Sequence, residues 1–174
     1  MSEWGIEPSP EAGQWRAGVV KDFAQSELFD RTFQEGMALV EETAAYLDGP
    51  GRQDSKQLER KAALAYASES MRLTTRLMQV ASWLLVQRAV REGDMAAEAA
   101  LDASYRLGAE PDHRAVELPD VLPSHLAALL DRSERLFERV RHLDARKYVD
   151  NTSADEPPHP VLAQMERLKD AFGG

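Results

Sequence analysis

The sequence from Tyr66 to Asp94, YASESMRLTTRLMQVASWLLVQRAVREGD, contains no proline and has one glycine, near its end. So long a stretch without a helix breaker predicts a single long helix. Its centre, LMQVASWLLV, is apolar over more of the circumference than the single stripe of a surface helix. Spanning a bilayer takes roughly 20 predominantly apolar residues, and Gln79, Gln87 and Arg88 interrupt the run too early. The helix must therefore be covered from more than one side, by a core, a ligand or a partner.

Two apolar rows run along this central helix at spacings of three and four residues. We expect the first row to face the core, and it contains Leu64, Ala67, Met71, Thr74, Met78, Ala81 and Leu85. The same neighbours cannot cover both rows, so we expect the second row to form the interface of a homodimer. The candidate interface residues are Leu73, Leu77, Val80, Trp83 and Leu84.

Helical periodicity also precedes and follows the central helix. An earlier helix ends at Gly49, and its apolar face contains Phe29, Phe33, Met37, Val40, Ala44 and Leu47. The central helix should begin near Asp54 or Ser55, which are good N-cap residues, and end at about Glu92, before Gly93. A third helix should run from Ser124 to about Arg146, with an apolar face of Leu126, Leu129, Leu130, Ser133, Leu136, Phe137, Val140 and Leu143.

No alternation of apolar and polar residues predicts a strand of useful length, so we expect an all-α fold. Residues 22–148 are predicted to form a three-helix bundle with one very long central helix. Residues 1–21, which mix prolines, glycines and acids with isolated apolar residues, are predicted to be a flexible arm. Residues 149–174 are predicted to be a disordered linker followed by a short amphipathic segment.

That C-terminal segment, VLAQMERLKDAFGG, places four apolar side chains on one helical face. They are Val161, Met165, Leu168 and Phe172. A helix of about 12 residues is marginal alone in water, so the segment must dock on the bundle or fold against a partner. We therefore consider these four residues candidates for partner binding.

Composition excludes several classes of function. The 174 residues contain 21 Lys and Arg against 30 Asp and Glu, and a net charge of −9 argues against nucleic acid as a partner. There is no cysteine, hence no disulfide framework and no thiolate nucleophile. The first residues lack the basic start and apolar run of a signal peptide, so we expect a cytoplasmic protein with no membrane insertion.

Few groupings of residues could support catalysis. The sequences EPDH and EPPH give Glu110 with His113, and Glu156 with His159, the Glu-x-x-His spacing of helical metal sites. A proline inside each motif argues against the helix that such a site requires. No serine or threonine of the central helix has a nearby histidine to activate it, and no glycine-rich phosphate loop is present. We expect no metal, no cofactor and no enzymatic activity.

Arg72 and Arg76 lie four residues apart on the central helix and are candidates for binding an acidic partner. The alternative is a solvated face with local ion pairs, because Glu69 lies three residues before Arg72, and because Asp131, Glu134 and Glu138 are interleaved with the arginines of the third helix.

The strings FQEGMALVEETAAYLDGPGR and AALAYASESMRLTTRLMQVASWLLVQRAV resemble the alphaproteobacterial family named regulator of CtrA degradation. The resemblance is strong over roughly residues 22–92, weak over the third helix and nearly absent in the tails. It implies a dimeric three-helix bundle without catalytic activity. Members of that family act as adaptors that help the ClpXP protease degrade cell-cycle transcription regulators, together with other protease-associated adaptor proteins. The resemblance also leads us to expect recruitment to a cell pole.

Two other functions remain open at the level of sequence. One is a small-molecule-sensing or scaffolding bundle with no role in proteolysis, in which a pocket lies beside Trp83 and the methionines. The other is an enzyme, which would require a metal or bound cofactor in the purified protein.

Overall fold

The computed structural model describes residues 10–109 and 122–152, with side chains over residues 14–109 and 122–147. The helices of this part are α1 (Pro10–Ala24), α2 (Glu27–Asp48), α3 (Pro50–Lys56), α4 (Arg60–Glu92) and α5 (Ser124–Thr152). Two short 3-10 turns, Ala99–Leu101 and Ala103–Tyr105, follow α4. The described residues contain no strand, and the all-α prediction is confirmed.

The two longest helices, α4 and α5, run in the same direction. Arg76 of α4 donates to Ser133 Oγ of α5 at 2.9 Å, and further along both helices Trp83 Nε1 donates to Asp144 Oδ1 at 2.9 Å. Because both pairs advance together along the chain, α4 and α5 are parallel, and the start of α5 lies well back from the C-terminal end of α4.

Helix α2 runs antiparallel to α4 and α5. Arg139 pairs with Glu35 at 2.6 Å, whereas Arg132, earlier in α5, pairs with Glu42, later in α2, at 2.7 Å. Within α2, a Cβ on Gly36 would lie 2.7 Å from Leu84 Cδ1. The glycine therefore admits a core side chain of α4 close to the α2 backbone, at a cost of about 1 kcal/mol in helix propensity.

The core lies where α2, α4 and α5 meet. Its buried residues come from all three helices and are Phe29, Leu39, Tyr46, Leu73, Leu77, Val80, Trp83, Leu84, Leu126, Leu129, Leu130, Leu136, Phe137 and Val140. Four of the six apolar residues predicted for the earlier helix, Phe33, Met37, Val40 and Leu47, are partly buried against this core.

The helical architecture differs from the prediction at several boundaries. Residues 10–21 are not a flexible arm: they belong to α1, which buries Ala17, Val20 and Ala24. Asp54 and Ser55 lie inside the short helix α3, and the central helix begins at Arg60. Its predicted end is confirmed, because Gly93 adopts a left-handed φ of 79° and caps α4.

At the C-terminal side, α5 continues to Thr152, beyond the predicted Arg146 and into the segment 149–174 that was predicted to start as a linker. The remainder of that segment lies outside the described residues.

Candidate functional site

The five candidate dimer-interface residues lie in the core of the single chain. Leu73, Leu77, Val80, Trp83 and Leu84 are at most 3% exposed. They are covered by α1, α2 and α5, so they cannot form a surface between two copies. This assignment is wrong, and the two apolar rows of the central helix are exchanged relative to the prediction.

The row predicted to face the core is the exposed one. Leu64 is 66% exposed, Met71 73%, Met78 65% and Leu85 51%. Between them lie the smaller residues Ala67, Thr74 and Ala81. We call these seven residues the outer row. An exposed apolar surface of this length is uncommon on a monomer and marks a place where something binds.

Two depressions flank the outer row. The first, the α2–α4 groove, has a volume of about 310 Å³ and is lined by Val40, Thr43, Ala44, Leu47, Asp48, Thr74, Leu77, Met78 and Ala81. The second, the α4 cleft, has a volume of about 470 Å³ and is lined by Thr75, Met78, Gln79, Ser82, Trp83, Val86, Ser104, Tyr105, Arg106 and Gly108. Met78 borders both depressions and stands as a ridge between them.

Arg72 and Arg76 are not a surface site for an acidic partner. The Arg76 side chain is fully buried and bonds to Ser133 Oγ, with Glu134 at 3.5 Å. Arg72 donates to both carboxylate oxygens of Glu69 at 2.8 and 2.9 Å, and Glu69 is itself buried. Arg72 neutralises the buried Glu69 on its own helix, and Arg76 links α4 to α5. The alternative, a solvated face with local ion pairs, is right about the Glu69–Arg72 ion pair but wrong about the solvated face, because both side chains are largely buried.

A buried lysine, which the sequence analysis did not single out, lies near the end of α5. Lys147 Nζ sits 4.5 Å from the ring centroid of Phe23 and 4.6 Å from that of Trp83, and it donates to Gln87 Oε1. Burial lowers the pKa of Lys147 to about 7, against the opposing attraction of the nearby Asp144 carboxylate. The lysine thus joins α1, α4 and α5 at one end of the bundle.

Asp144 completes this cluster. It is buried, accepts the Trp83 indole hydrogen bond and lies 3.6 Å from Arg106, which belongs to the segment lining the α4 cleft. The backbone N–H of Leu107 is also directed at Asp144, at 3.4 Å. The segment after the 3-10 turns is therefore held on the bundle by a buried carboxylate.

Among the described side chains, those of residues 14–109 and 122–147, no group of three or more His, Asp or Glu is placed to hold a metal ion. The Glu-x-x-His residues Glu110, His113, Glu156 and His159 lie outside these ranges. So do the partner-binding candidates Val161, Met165, Leu168 and Phe172. Within the same ranges, no helix has the length and apolarity needed to cross a membrane.

A family model described as a protein of unknown function, DUF1465, matches residues 20–172. The chain belongs to this family. It is also similar to the crystal structure of RcdA from Caulobacter crescentus CB15, with 67% sequence identity and a TM-score of 0.62, over 74% of this chain and 98% of that chain. The resemblance to the regulator of CtrA degradation family is thereby confirmed. No curated protein matches the sequence.

Proposed function

We propose that this chain is a non-catalytic adaptor that helps deliver cell-cycle transcription regulators to the ClpXP protease in the cytoplasm, with recruitment to a cell pole. The observation that carries the proposal is the exposed outer row of α4, an apolar surface flanked by two depressions. Surfaces of this kind bind other proteins. The similarity to RcdA, a regulator of CtrA degradation, indicates which process the binding serves.

The adaptor acts as a homodimer through the outer row. Leu64, Met71, Met78 and Leu85 recur every seven residues, which is the spacing of a helix–helix seam. The three residues between them are small. A second α4 lying antiparallel, with the two-fold axis two residues beyond Thr74, places Met71, Met78 and Leu85 opposite the small residues Ala81, Thr74 and Ala67 of the other copy. Such an arrangement is two-fold symmetric, as most homodimers are.

Because the chain has no cysteine, the pairing can be tested with single introduced thiols. Thr74→Cys lies near the proposed two-fold axis and should link two copies efficiently through a short thiol-reactive cross-linker. Leu85→Cys should link poorly, because antiparallel pairing carries the two copies of that residue roughly 25 Å apart at about 1.5 Å per residue. A chain that sediments as a monomer at micromolar concentration, or equal cross-linking by both variants, would contradict the homodimer.

The C-terminal residues Val161, Met165, Leu168 and Phe172 form the segment that binds the cargo or the other adaptor proteins. In a reconstituted reaction, the chain should accelerate degradation of a cell-cycle transcription regulator by ClpXP several-fold. Phe172→Glu should abolish the acceleration while the protein remains folded, whereas Arg167→Glu, on the polar face of the segment, should retain it. Equal degradation rates with and without the chain would refute the adaptor role.

A second candidate function, small-molecule sensing, is favoured by one observation. The α4 cleft lies beside Trp83 and Met78, and Gln79 Oε1 is buried there without a hydrogen-bond partner among the described residues. A ligand with an N–H group could satisfy this oxygen. A ligand-dependent rise in melting temperature that is lost on filling the cleft with Ser82→Trp would support sensing over the adaptor role.

A further inference from the structure

The α2–α4 groove is an apolar depression whose floor contains an unsatisfied polar atom. Thr43 is 4% exposed, and its Oγ1 has no hydrogen-bond partner among the described residues. Buried polar groups without partners are uncommon in folded proteins. The remaining lining of the groove is nearly all apolar, with Val40, Ala44 and Leu47 on the α2 side. The groove therefore has the character of a helix-binding surface that lacks its helix.

We propose that the groove is filled by the C-terminal segment of the same chain, residues 161–172. Val161, Met165, Leu168 and Phe172 share one helical face, which matches a long apolar groove between two helices. Gln164 lies three residues after Val161, on the flank of this face, where an amide can bond to a buried hydroxyl such as Thr43 Oγ1. A segment too short to be stable alone gains its helical structure from such packing.

The length of chain beyond α5 agrees with this placement. Lys147 of α5 lies beside Gln87 of α4, so Thr152 reaches the level of Glu92. From there to Ala81, at the near end of the groove, the distance along the helix axis is about 16 Å at 1.5 Å per residue. Residues 153–160 span at most about 26 Å when extended. This length covers the axial distance and the width of one neighbouring helix, about 8–10 Å.

The direction of the docked segment follows from the same geometry. Entering near Ala81, it runs antiparallel to α4 and parallel to α2, and its last turn lies near Thr74 and Asp48. A helix of residues 161–172 is about 18 Å long, which extends past the far end of the groove. Lys169, in the last turn, is then close to the exposed Asp48 carboxylate.

Docking in the groove has a consequence for the proposed homodimer, although it does not depend on it. Thr74, Met78 and Ala81 belong both to the groove and to the outer row. A C-terminal segment lying on them competes with a second α4, so docking lowers the dimer fraction. Release of the segment from the groove therefore exposes both its own apolar face and the outer row.

The test uses pairs of introduced thiols in the full chain, which has no cysteine of its own. Asp48→Cys combined with Lys169→Cys should give an intramolecular cross-link at sub-micromolar concentration. Ala128→Cys combined with Lys169→Cys is the matched control, because Ala128 is exposed on α5 at about the level of Asp48 along the bundle. The control should cross-link at least five-fold less. Equal cross-linking of the two pairs, or none in the first, would overturn the proposal.

Two further experiments identify what occupies the groove. Leu168→Glu in the Asp48→Cys and Lys169→Cys background should abolish the cross-link, whereas Arg167→Glu should retain it. A mixture of the two single-cysteine chains should not cross-link, and efficient cross-linking in the mixture would show that the segment binds a second copy instead. Leu168→Glu should also raise the dimer fraction. If every variant is monomeric, the proposed homodimer fails, while the cross-link still decides whether the segment docks.

Discussion

Replacing Leu84 by aspartate should unfold the protein, whereas the same replacement at Met78 should leave it folded. Leu84 is fully buried against α2 and α5, and Met78 is 65% exposed. An unpaired carboxylate placed in the core costs several kcal/mol, against a total stability of roughly 5–15 kcal/mol. At Met78 the carboxylate remains in water, and the loss should be below about 1 kcal/mol. Far-ultraviolet circular dichroism during thermal melting measures both effects.

A second pair of variants tests whether the result holds at other positions on the same two faces of α4. Leu73→Asp, also fully buried, should behave as Leu84→Asp does, and Met71→Asp, 73% exposed, should behave as Met78→Asp does. Cooperative melting of Leu73→Asp near the wild-type temperature would show that the two faces of α4 have been assigned incorrectly. Both exposed variants should also lose the dimer, because a charge on the outer row cannot be buried between two copies without a partner.

The existence and approximate extent of the three long helices were predictable from the sequence, but the orientation of the central one was not. Both rows of α4 have helical spacing and similar apolarity, so periodicity alone does not rank them. The buried face also contains Glu69, Arg76 and Gln87, which make it look like the solvated side. Their partners across the bundle, Ser133 for Arg76 and Lys147 for Gln87, lie nearly 60 residues away in the sequence. Tertiary pairing, which no local pattern shows, makes this face the core.

Helix α1 was missed for a different reason. It buries mainly small residues, Ala17, Val20 and Ala24, and has glycine inside it, so its apolar stripe is weak. Its one large aromatic contact with the rest of the bundle is made by Phe23, whose ring centroid lies 5.9 Å from that of Trp83 and 4.5 Å from Lys147 Nζ. Aromatic and cation–π contacts of this kind stabilise a helix whose own sequence does not predict it strongly.

The candidate site, too, was predictable from the sequence only in part. That the central helix carries an apolar surface beyond what the core needs could be inferred from its two-sided pattern. Which residues form that surface depended on the orientation of α4, and the assignments of Leu73, Leu77, Val80, Trp83 and Leu84 failed with it. The flanking grooves arise from α2 and from residues 104–108. Their shapes are set by packing distances, for which a single sequence carries no signal.

The Lys147 cluster makes the stability of the fold depend on pH. Lys147 has a pKa of about 7 in the folded protein, lowered by burial from its ordinary value of 10.5. In this range the unfolded chain binds more protons than the folded one, so the free energy of unfolding increases with pH. The increase begins near pH 7 and ends near pH 10.5. Burial raises the pKa values of Tyr46 and Tyr66, which reverses the trend only above the ordinary tyrosine pKa of 10.

Between pH 7 and pH 9 the free energy of unfolding should therefore rise by about 2 kcal/mol. Over this interval the unfolded lysine keeps its proton while the folded lysine is neutral, so unfolding takes up a proton that becomes scarcer as the pH rises. Lys147→Met removes the titrating group and should flatten the dependence, while the stem of the side chain still packs between Phe23 and Trp83. Lys61→Met, at an exposed position in the first turn of α4, is the matched control and should keep the wild-type slope. Urea unfolding at pH 7, 8 and 9, followed by circular dichroism, gives the three slopes directly. A wild-type stability that stays constant or falls over this range would mean that Lys147 remains charged in the folded protein. The attraction of the two rings and of Asp144 would then outweigh the cost of burial.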